Sequence, residues 1–215
     1  MKIEYILILP IIVWGLVNLT VVISVRLLSK PYELLEDVNK IDSKQFLSTI
    51  PEFSNWCREN NFVHEKDFLF HGILTGPPIE CSAWWSSTEK TWALLYVAPT
   101  AKNIDFVSTF AQGFALSTAS SRDSLMLPSP PNSYIQAFTN MGNEERYALH
   151  QEALERIERS LGSINLDDRS ELFHKIAESI LDQVSYIRKK PLWHLRGAYW
   201  YFVSRNLDAN KAVSV

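Results

Sequence analysis

The chain has 215 residues, with 21 Lys and Arg against 24 Asp and Glu, 47% apolar residues and 21% charged residues. This length suits one domain, or one domain with an appendage, and the composition is that of a packed protein rather than a disordered one. The net charge of −3 supplies no basic field, so nucleic acid is not an expected partner.

Residues 5–25 contain no charged residue and no histidine. As a helix they would extend about 31 Å, which matches a hydrocarbon core of about 30 Å. We therefore predict a single-pass transmembrane anchor at residues 1–28, with the lipid bilayer as a partner. The alternative is a cleavable signal peptide, which has a shorter apolar core and a small-residue cleavage site that Val25 and Arg26 do not provide.

The charges beside the apolar stretch predict its orientation. Lys2 precedes it, whereas Arg26, Lys30, Lys40 and Lys44 follow it. Because Lys and Arg are enriched on the cytoplasmic side of a membrane, the domain after the anchor is expected in the cytoplasm. The two cysteines form neither a disulfide framework nor a zinc motif, so we expect buried free thiols.

Residues 29–61 are interpreted as juxtamembrane helices. The first is predicted from helical spacing of apolar residues, namely Tyr32, Leu35, Val38 and Ile41. A capping box of Thr49 and Glu52 predicts the start of the second, and Asn60 and Asn61 its end.

Residues 62–215 are predicted to form an α+β domain with an antiparallel sheet of about five strands and two C-terminal helices. Period-two patterns mark the candidate strands, at 68–74, 80–86, 90–98, 103–111, 114–119 and 133–138. Since 90–98 is apolar on both faces, it should be a central strand. One helix should begin at Asn143 and end at Gly162, and the other should run from Asp167 and Asp168 to Pro191.

Basic and aromatic residues dominate 183–207, which contains no acidic residue. Trp and Tyr favour the bilayer interface, and basic groups favour anionic lipid. We predict membrane-surface or partner contact for seven residues: Arg188, Lys189, Lys190, Trp193, Arg196, Trp200 and Arg205. The alternative is that the aromatic side chains pack on the sheet while the basic ones are solvated or paired.

Hydroxyl groups surround an Arg–Asp pair after the fifth candidate strand, so Ser120, Ser121, Arg122 and Asp123 are a possible polar-ligand turn. A nucleophilic serine would need a histidine partner and an oxyanion site, and no GxSxG motif is present. Neither metal-ligand spacing nor a glycine-rich phosphate loop occurs, so no metal site, cofactor or catalytic residue is predicted.

We therefore expect a non-enzymatic, membrane-held interaction or sensing module with a membrane or cytoplasmic protein partner. Where they are exposed in part, five tryptophans would provide contact area for that partner, namely Trp84, Trp85, Trp92, Trp193 and Trp200. A membrane-tethered domain that binds a lipid or another hydrophobic ligand is the first alternative, and a serine-dependent hydrolase is the second.

Overall fold

The computed structural model describes residues 3–72, 74, 76–111, 113, 115–162, 166 and 171–214, with side chains from residue 9 onwards. The protein is α+β, with one apolar helix in front of a sheet. The helices are α1 (Ile3–Leu27), α2 (Lys44–Glu59), α3 (Asn143–Leu161) and α4 (Leu172–Lys189). The strands are β1 (Leu35–Val38), β2 (Val63–Phe70), β3 (Ile79–Ser86), β4 (Thr91–Ala98), β5 (Ala101–Thr109), β6 (Ala115–Ala119) and β7 (Ser133–Ala137).

The sheet has seven strands whose spatial order follows the chain. Neighbouring strands are antiparallel from β1 to β6, but β7 is parallel to β6. The prediction of about five antiparallel strands is therefore wrong in number and in the last pairing. A parallel pair needs a crossover of about a dozen residues, and residues 120–132, which looked like a proline-rich turn, provide it.

The helix predicted directly after the anchor is a strand. A short 3₁₀ turn, Pro31–Glu33, leads into β1, which pairs with β2. Residues three apart in a strand point to opposite faces. Leu35 contacts the core on one face of the sheet and Val38 the core on the other, so an apolar spacing of three fits this strand as well as a helix. Residues 29–61 thus contain one full helix, α2.

Helix α2 begins earlier than the capping box at Thr49 predicts. Ser43 is its N-cap, and its Oγ accepts a hydrogen bond from the Phe46 amide at 3.1 Å. Thr49 lies inside the helix, where its hydroxyl donates to the Gln45 carbonyl at 2.9 Å. The predicted end is confirmed, because Asn60 is the C-cap and Asn61 has a φ of +61°.

Both faces of the sheet are covered, which confirms the prediction of a central strand at 90–98. On one face α2 contributes Phe53 to a core with Trp84 and Phe106. On the other face α4 contributes Leu172 to a core with Phe68. Cys57 and Cys81 are buried free thiols, one in each of these two cores.

The two predicted C-terminal helices are present, and their described ends differ from the prediction by one or two residues. Helix α3 has Gly142 rather than Asn143 as its N-cap, and Gly162, with a φ of +82°, ends it as predicted. Helix α4 ends at Lys189, just before Pro191. Its predicted start at residues 167–168 lies outside the described residues.

After α4 the chain forms short helical pieces that return to α1. They are a 3₁₀ turn at Trp193–Leu195, an α turn at Gly197–Tyr199, a π-helical turn at Trp200–Ser204 and an α turn at Arg205–Asp208. We call residues 192–208 the tail segment. Beyond it, the Asn210 amide donates to the Ala137 carbonyl at 2.8 Å. The end of the chain therefore covers part of the outer edge of β7, which would otherwise offer unpaired backbone groups.

Candidate functional site

Within the described residues, α1 is the one helix that is long and apolar enough to cross a membrane. A signal sequence meets the same criterion. Residues 9–16 are all exposed, so the first part of α1 lacks the burial of a core helix. From Val17 onwards one face is covered, and Asn18, Val21 and Val25 have exposures of 5%, 3% and 0%. The helix thus has a free section followed by a section that packs against the domain.

The tail segment covers that second section of α1. A Cβ placed on Gly197 would lie 2.8 Å from two side-chain carbons of Val21. The tail segment therefore lies closer to α1 at this position than a residue with a side chain would permit. Next to it, the Ala198 amide donates to Oδ1 of Asn18 at 3.3 Å. The Asn18 amide group donates to the Trp14 carbonyl at 2.8 Å. Both the amide oxygen and the amide nitrogen of Asn18 therefore form hydrogen bonds within the chain.

An apolar surface lies on the outer side of the tail segment. Its exposed large side chains are Leu192, Leu195, Tyr199, Phe202, Val203 and Leu207. Scattered exposed apolar residues are ordinary on a protein surface, but here they are concentrated in one short segment.

The predicted basic contact residues differ in their surroundings. Three of them are exposed: Arg188, Lys189 and Arg196. The Arg188 guanidinium donates to Oγ of Ser29 at 2.6 Å, which ties the end of α4 to the end of α1. The Lys190 ammonium lies 4.1 Å from the ring centre of Tyr186, a cation–π contact.

Other predicted contact residues point inwards. Trp200 is 5% exposed and packs with Val21 and Val25 of α1. The Arg205 side chain is 11% exposed, pairs with Asp123 and stacks over the Tyr201 ring at 3.8 Å. Trp193 is half-buried. The sequence pattern therefore did not show which side chains of this segment face outwards.

The remaining tryptophans do not form a contact surface. Trp84, Trp85 and Trp92 have exposures of 4%, 8% and 4% because they lie on the central strands β3 and β4. The ring centres of Trp85 and Trp92 are 4.8 Å apart. Their role is in the core, and the expectation of partner contact for them is corrected.

A polar cleft of about 610 Å³ joins the predicted polar-ligand turn to the tail segment. It lies where β5, β6 and β7 approach one end of the sheet. The turn contributes Ser120, Ser121, Arg122 and Asp123, the sheet end contributes Asn103, Thr139 and Asn140, and the tail segment contributes Tyr201 and Arg205. The structure thus brings together two groups of residues that the sequence analysis treated as separate sites.

The serine hydroxyls of the cleft hold the backbone. Oγ of Ser120 accepts from the Ile104 amide at 2.7 Å, and Oγ of Ser121 accepts from the Asp123 amide at 3.2 Å. The one histidine buried in the described core, His150, bonds instead to Ser108 and Thr118. This geometry lends no support to a nucleophilic role for either serine.

His150 is the centre of a buried polar network. Its Nε2 lies 3.0 Å from Oγ of Ser108, and its Nδ1 lies 2.8 Å from Oγ1 of Thr118. The network extends from Ser108 to Thr91 at 2.7 Å and from Thr118 to Gln136 at 2.9 Å. Burial lowers the pKa of His150 from 6.5 to about 3, so the ring is neutral at pH 7. It is a hydrogen-bonded core residue.

A second buried titrating group lies on the other face of the sheet. Oδ1 of Asp105 is buried and has no hydrogen-bond partner among the described residues. Burial raises the pKa of Asp105 from 3.8 to about 7, although the Ser120 amide and the charge of Arg146 act in the opposite direction.

Several cleft residues could not be found from the sequence. Asn103, Thr139 and Asn140 come from separate parts of the chain, and only the strand register brings them to the same end of the sheet. Tyr201 lies within the aromatic and basic segment 183–207, but that composition does not indicate that its side chain lines the cleft.

Neither a family model, nor a curated protein, nor a solved structure matches this chain.

Proposed function

We propose that this protein is a non-enzymatic, single-pass membrane module for interaction or sensing, whose tail segment lies in the interface of the bilayer. The helix α1 is the anchor, and the sheet with its helices is the cytoplasmic domain. The packing of Gly197 and Ala198 against the second half of α1, at Asn18 and Val21, is the observation that carries the proposal.

The length of the free part of α1 supports this position of the tail segment. The apolar residues before the covered section, 5–16, extend about 18 Å, whereas the hydrocarbon core of a bilayer is about 30 Å thick. The covered section must therefore also enter the bilayer if α1 spans it. Since the tail segment packs along that section, its exposed side chains, such as Tyr199 and Phe202, would face lipid.

The charges near the end of α1 support a cytoplasmic domain. Arg26 and Lys30 follow the apolar stretch, and the hydrogen bond from Arg188 to Ser29 places a further basic group at the same level. Each basic group near an anionic cytoplasmic leaflet contributes about 1 kcal/mol to membrane attraction. Because α1 holds the domain at the membrane, even a weak contact with a membrane protein would gain from the raised local concentration.

The depth of the tail segment can be measured on the full chain in lipid vesicles. A fluorophore attached at Phe202→Cys should be quenched by a quencher carried on the lipid acyl chains. A matched probe at Glu158→Cys, on the exposed side of α3, should be quenched only by a water-soluble reagent. Cys57 and Cys81 should not compete for the label, because both are buried.

Two results would contradict this proposal. One is equal access of the water-soluble quencher to both probes, which would place the tail segment in solution. The other is an N-terminal sequence of the membrane-bound protein that begins after α1, which would mean that the helix is removed and not retained.

A further inference from the structure

We propose that the polar cleft binds a phosphate group, and that the headgroup of an anionic phospholipid supplies it. The lipid as the source rests on the proposed membrane position of the tail segment, whereas the phosphate chemistry rests on the cleft alone.

The charge of the cleft favours an anion. Two guanidinium groups, Arg122 and Arg205, line it together with one carboxylate, Asp123. The Nε of Arg205 is buried and has no hydrogen-bond partner within the described part of the chain. Arg122 is exposed and donates from Nη1 to Asn206 at 3.1 Å. Guanidinium groups bind phosphate oxygens through paired N–H donors, and a buried donor without an acceptor gains most from such a ligand.

The neutral groups of the cleft fit the same ligand. Hydroxyl and amide groups can donate to phosphate oxygens, and they are present on Ser121, Asn103, Asn140 and Tyr201. The hydroxyl of Thr139 instead donates to Oδ1 of Asn210 at 3.3 Å. A calcium or magnesium site would instead need several oxygen ligands with negative charge, and Asp123 is the one carboxylate in the lining.

The position and size of the cleft suit a lipid headgroup. Tyr201 and Arg205 belong to the tail segment, and the α turn Gly197–Tyr199 of that segment packs on α1. The cleft therefore lies beside the proposed bilayer surface. Its volume of about 610 Å³ is within the usual range for small-ligand sites. The lining is polar, so it suits a headgroup rather than acyl chains.

Asp123 should compete with the ligand. Its side chain is 66% exposed and pairs with the guanidinium of Arg205. A phosphate group at Arg205 would take the place of this carboxylate. Removing the Asp123 charge should therefore strengthen binding, while removing either arginine should weaken it, and such opposite effects would not arise from general loss of structure.

The test uses the full chain in a neutral detergent. Native mass spectrometry would compare bound phosphatidic acid with bound phosphatidylcholine, and calorimetry would measure the binding of inorganic phosphate. We expect a preference for phosphatidic acid that falls about tenfold in Arg122→Gln and in Arg205→Gln, because a charge-assisted hydrogen bond is lost. Asp123→Asn should increase binding. Arg159→Gln, an exposed residue on α3, is the matched control and should leave binding unchanged.

Each contrary outcome overturns a defined part of the proposal. If the arginine variants bind phosphatidic acid as well as Arg159→Gln does, or if Asp123→Asn binds it less well, the cleft is not the site. If inorganic phosphate binding responds to the variants but phosphatidic acid shows no preference, the lipid source is wrong and a soluble phosphate ester is the ligand. Arg122 is exposed, so its variant reports on binding even if Arg205→Gln fails to fold. The depth of the Phe202 probe is measured separately, so failure of the lipid source and failure of the proposed membrane position remain distinguishable.

Discussion

The amide of Ala198 donates to Oδ1 of Asn18 at 3.3 Å, although the two residues are 180 positions apart in the chain. Asn18 is polar and lies in the apolar part of α1, where in the proposed membrane position an unsatisfied polar group would be costly. The hydrogen bond gives the Ala198 amide an acceptor and Oδ1 of Asn18 a donor, and it fixes the position of the tail segment along α1.

The close approach at Gly197 can be tested by adding a methyl group. In Gly197→Ala the new Cβ would lie 2.8 Å from Cβ and 2.8 Å from Cγ2 of Val21, and because the Val21 Cβ is fixed by the backbone, the tail segment must shift. We expect a loss of about 1–3 kcal/mol in the free energy of unfolding, as is usual for overpacking. The measurement is chemical unfolding of the full chain in detergent, followed by tryptophan fluorescence.

Gly15→Ala is the matched control for that substitution. Gly15 is also on α1, but a Cβ there meets no atom within 4 Å. The control should be neutral or slightly stabilising because alanine favours a helix. Equal stability of the two variants would show that the tail segment does not hold its contact with α1.

His150 should make stability fall in acid. Its pKa is about 3 in the folded protein and 6.5 in an ordinary environment, so the unfolded chain binds the proton first as the pH falls. The stabilisation is complete above pH 6.5 and decreases towards pH 3, with a slope approaching about 1.4 kcal/mol per pH unit. His150→Gln should remove this contribution, and the difference between the stability–pH curves of the native chain and the variant measures it.

Asp105 should act in the opposite direction. Because its pKa is raised to about 7 from 3.8, the folded protein keeps the proton longer than the unfolded chain does. Its contribution is greatest below pH 3.8 and is lost as the pH rises to 7. Asp105→Asn should therefore make the protein more stable than the native chain at pH 8, while at pH 3.5 the difference should be small or reversed.

The effects of His150 and Asp105 oppose each other between pH 4 and pH 6.5. The native chain should show a shallow pH dependence there, and each single variant should reveal the slope of the other residue. A steep slope in the native chain that neither variant changes would contradict both assignments.

The two thiols should react only after unfolding. Cys57 and Cys81 are buried on opposite faces of the sheet, and burial raises the pKa of each thiol well above its usual value. Since the thiolate is the reactive form, alkylation of the folded chain at pH 8 should be slow and should become rapid in denaturant. Rapid labelling of Cys81 in the folded chain would show that the core beneath α4 opens.

The strands β3, β4 and β5 could be predicted from the sequence because runs rich in β-branched and aromatic residues lie there between clear turn signals. The pattern failed at β1, where Leu35 and Val38 serve opposite faces of the sheet at a spacing that a helix also has. It also failed at β7, because the direction of a strand depends on the path of the preceding crossover and not on the strand's own residues.

The candidate site was likewise predictable only in part. The aromatic and basic composition of the tail segment was visible, as was the turn at Ser120–Asp123. Their meeting in one cleft was not, because it depends on the contact of Arg205 with Asp123 across 82 positions. The sequence also did not show which tryptophans are buried. Trp84 and Trp200 both lie in stretches rich in aromatic residues, but they pack in different cores.

The contact between Asn18 and Ala198 also sets an order of events during synthesis. Helix α1 leaves the ribosome first, and its covering segment follows 180 residues later, after roughly 10 to 40 s at a translation rate of about 5–20 residues per second. Throughout that interval the Asn18 side chain can donate to the Trp14 carbonyl, but the Ala198 amide is not yet present as a donor to its Oδ1. A chain that stops before Gly197 would leave Oδ1 of Asn18 without the Ala198 amide as its donor.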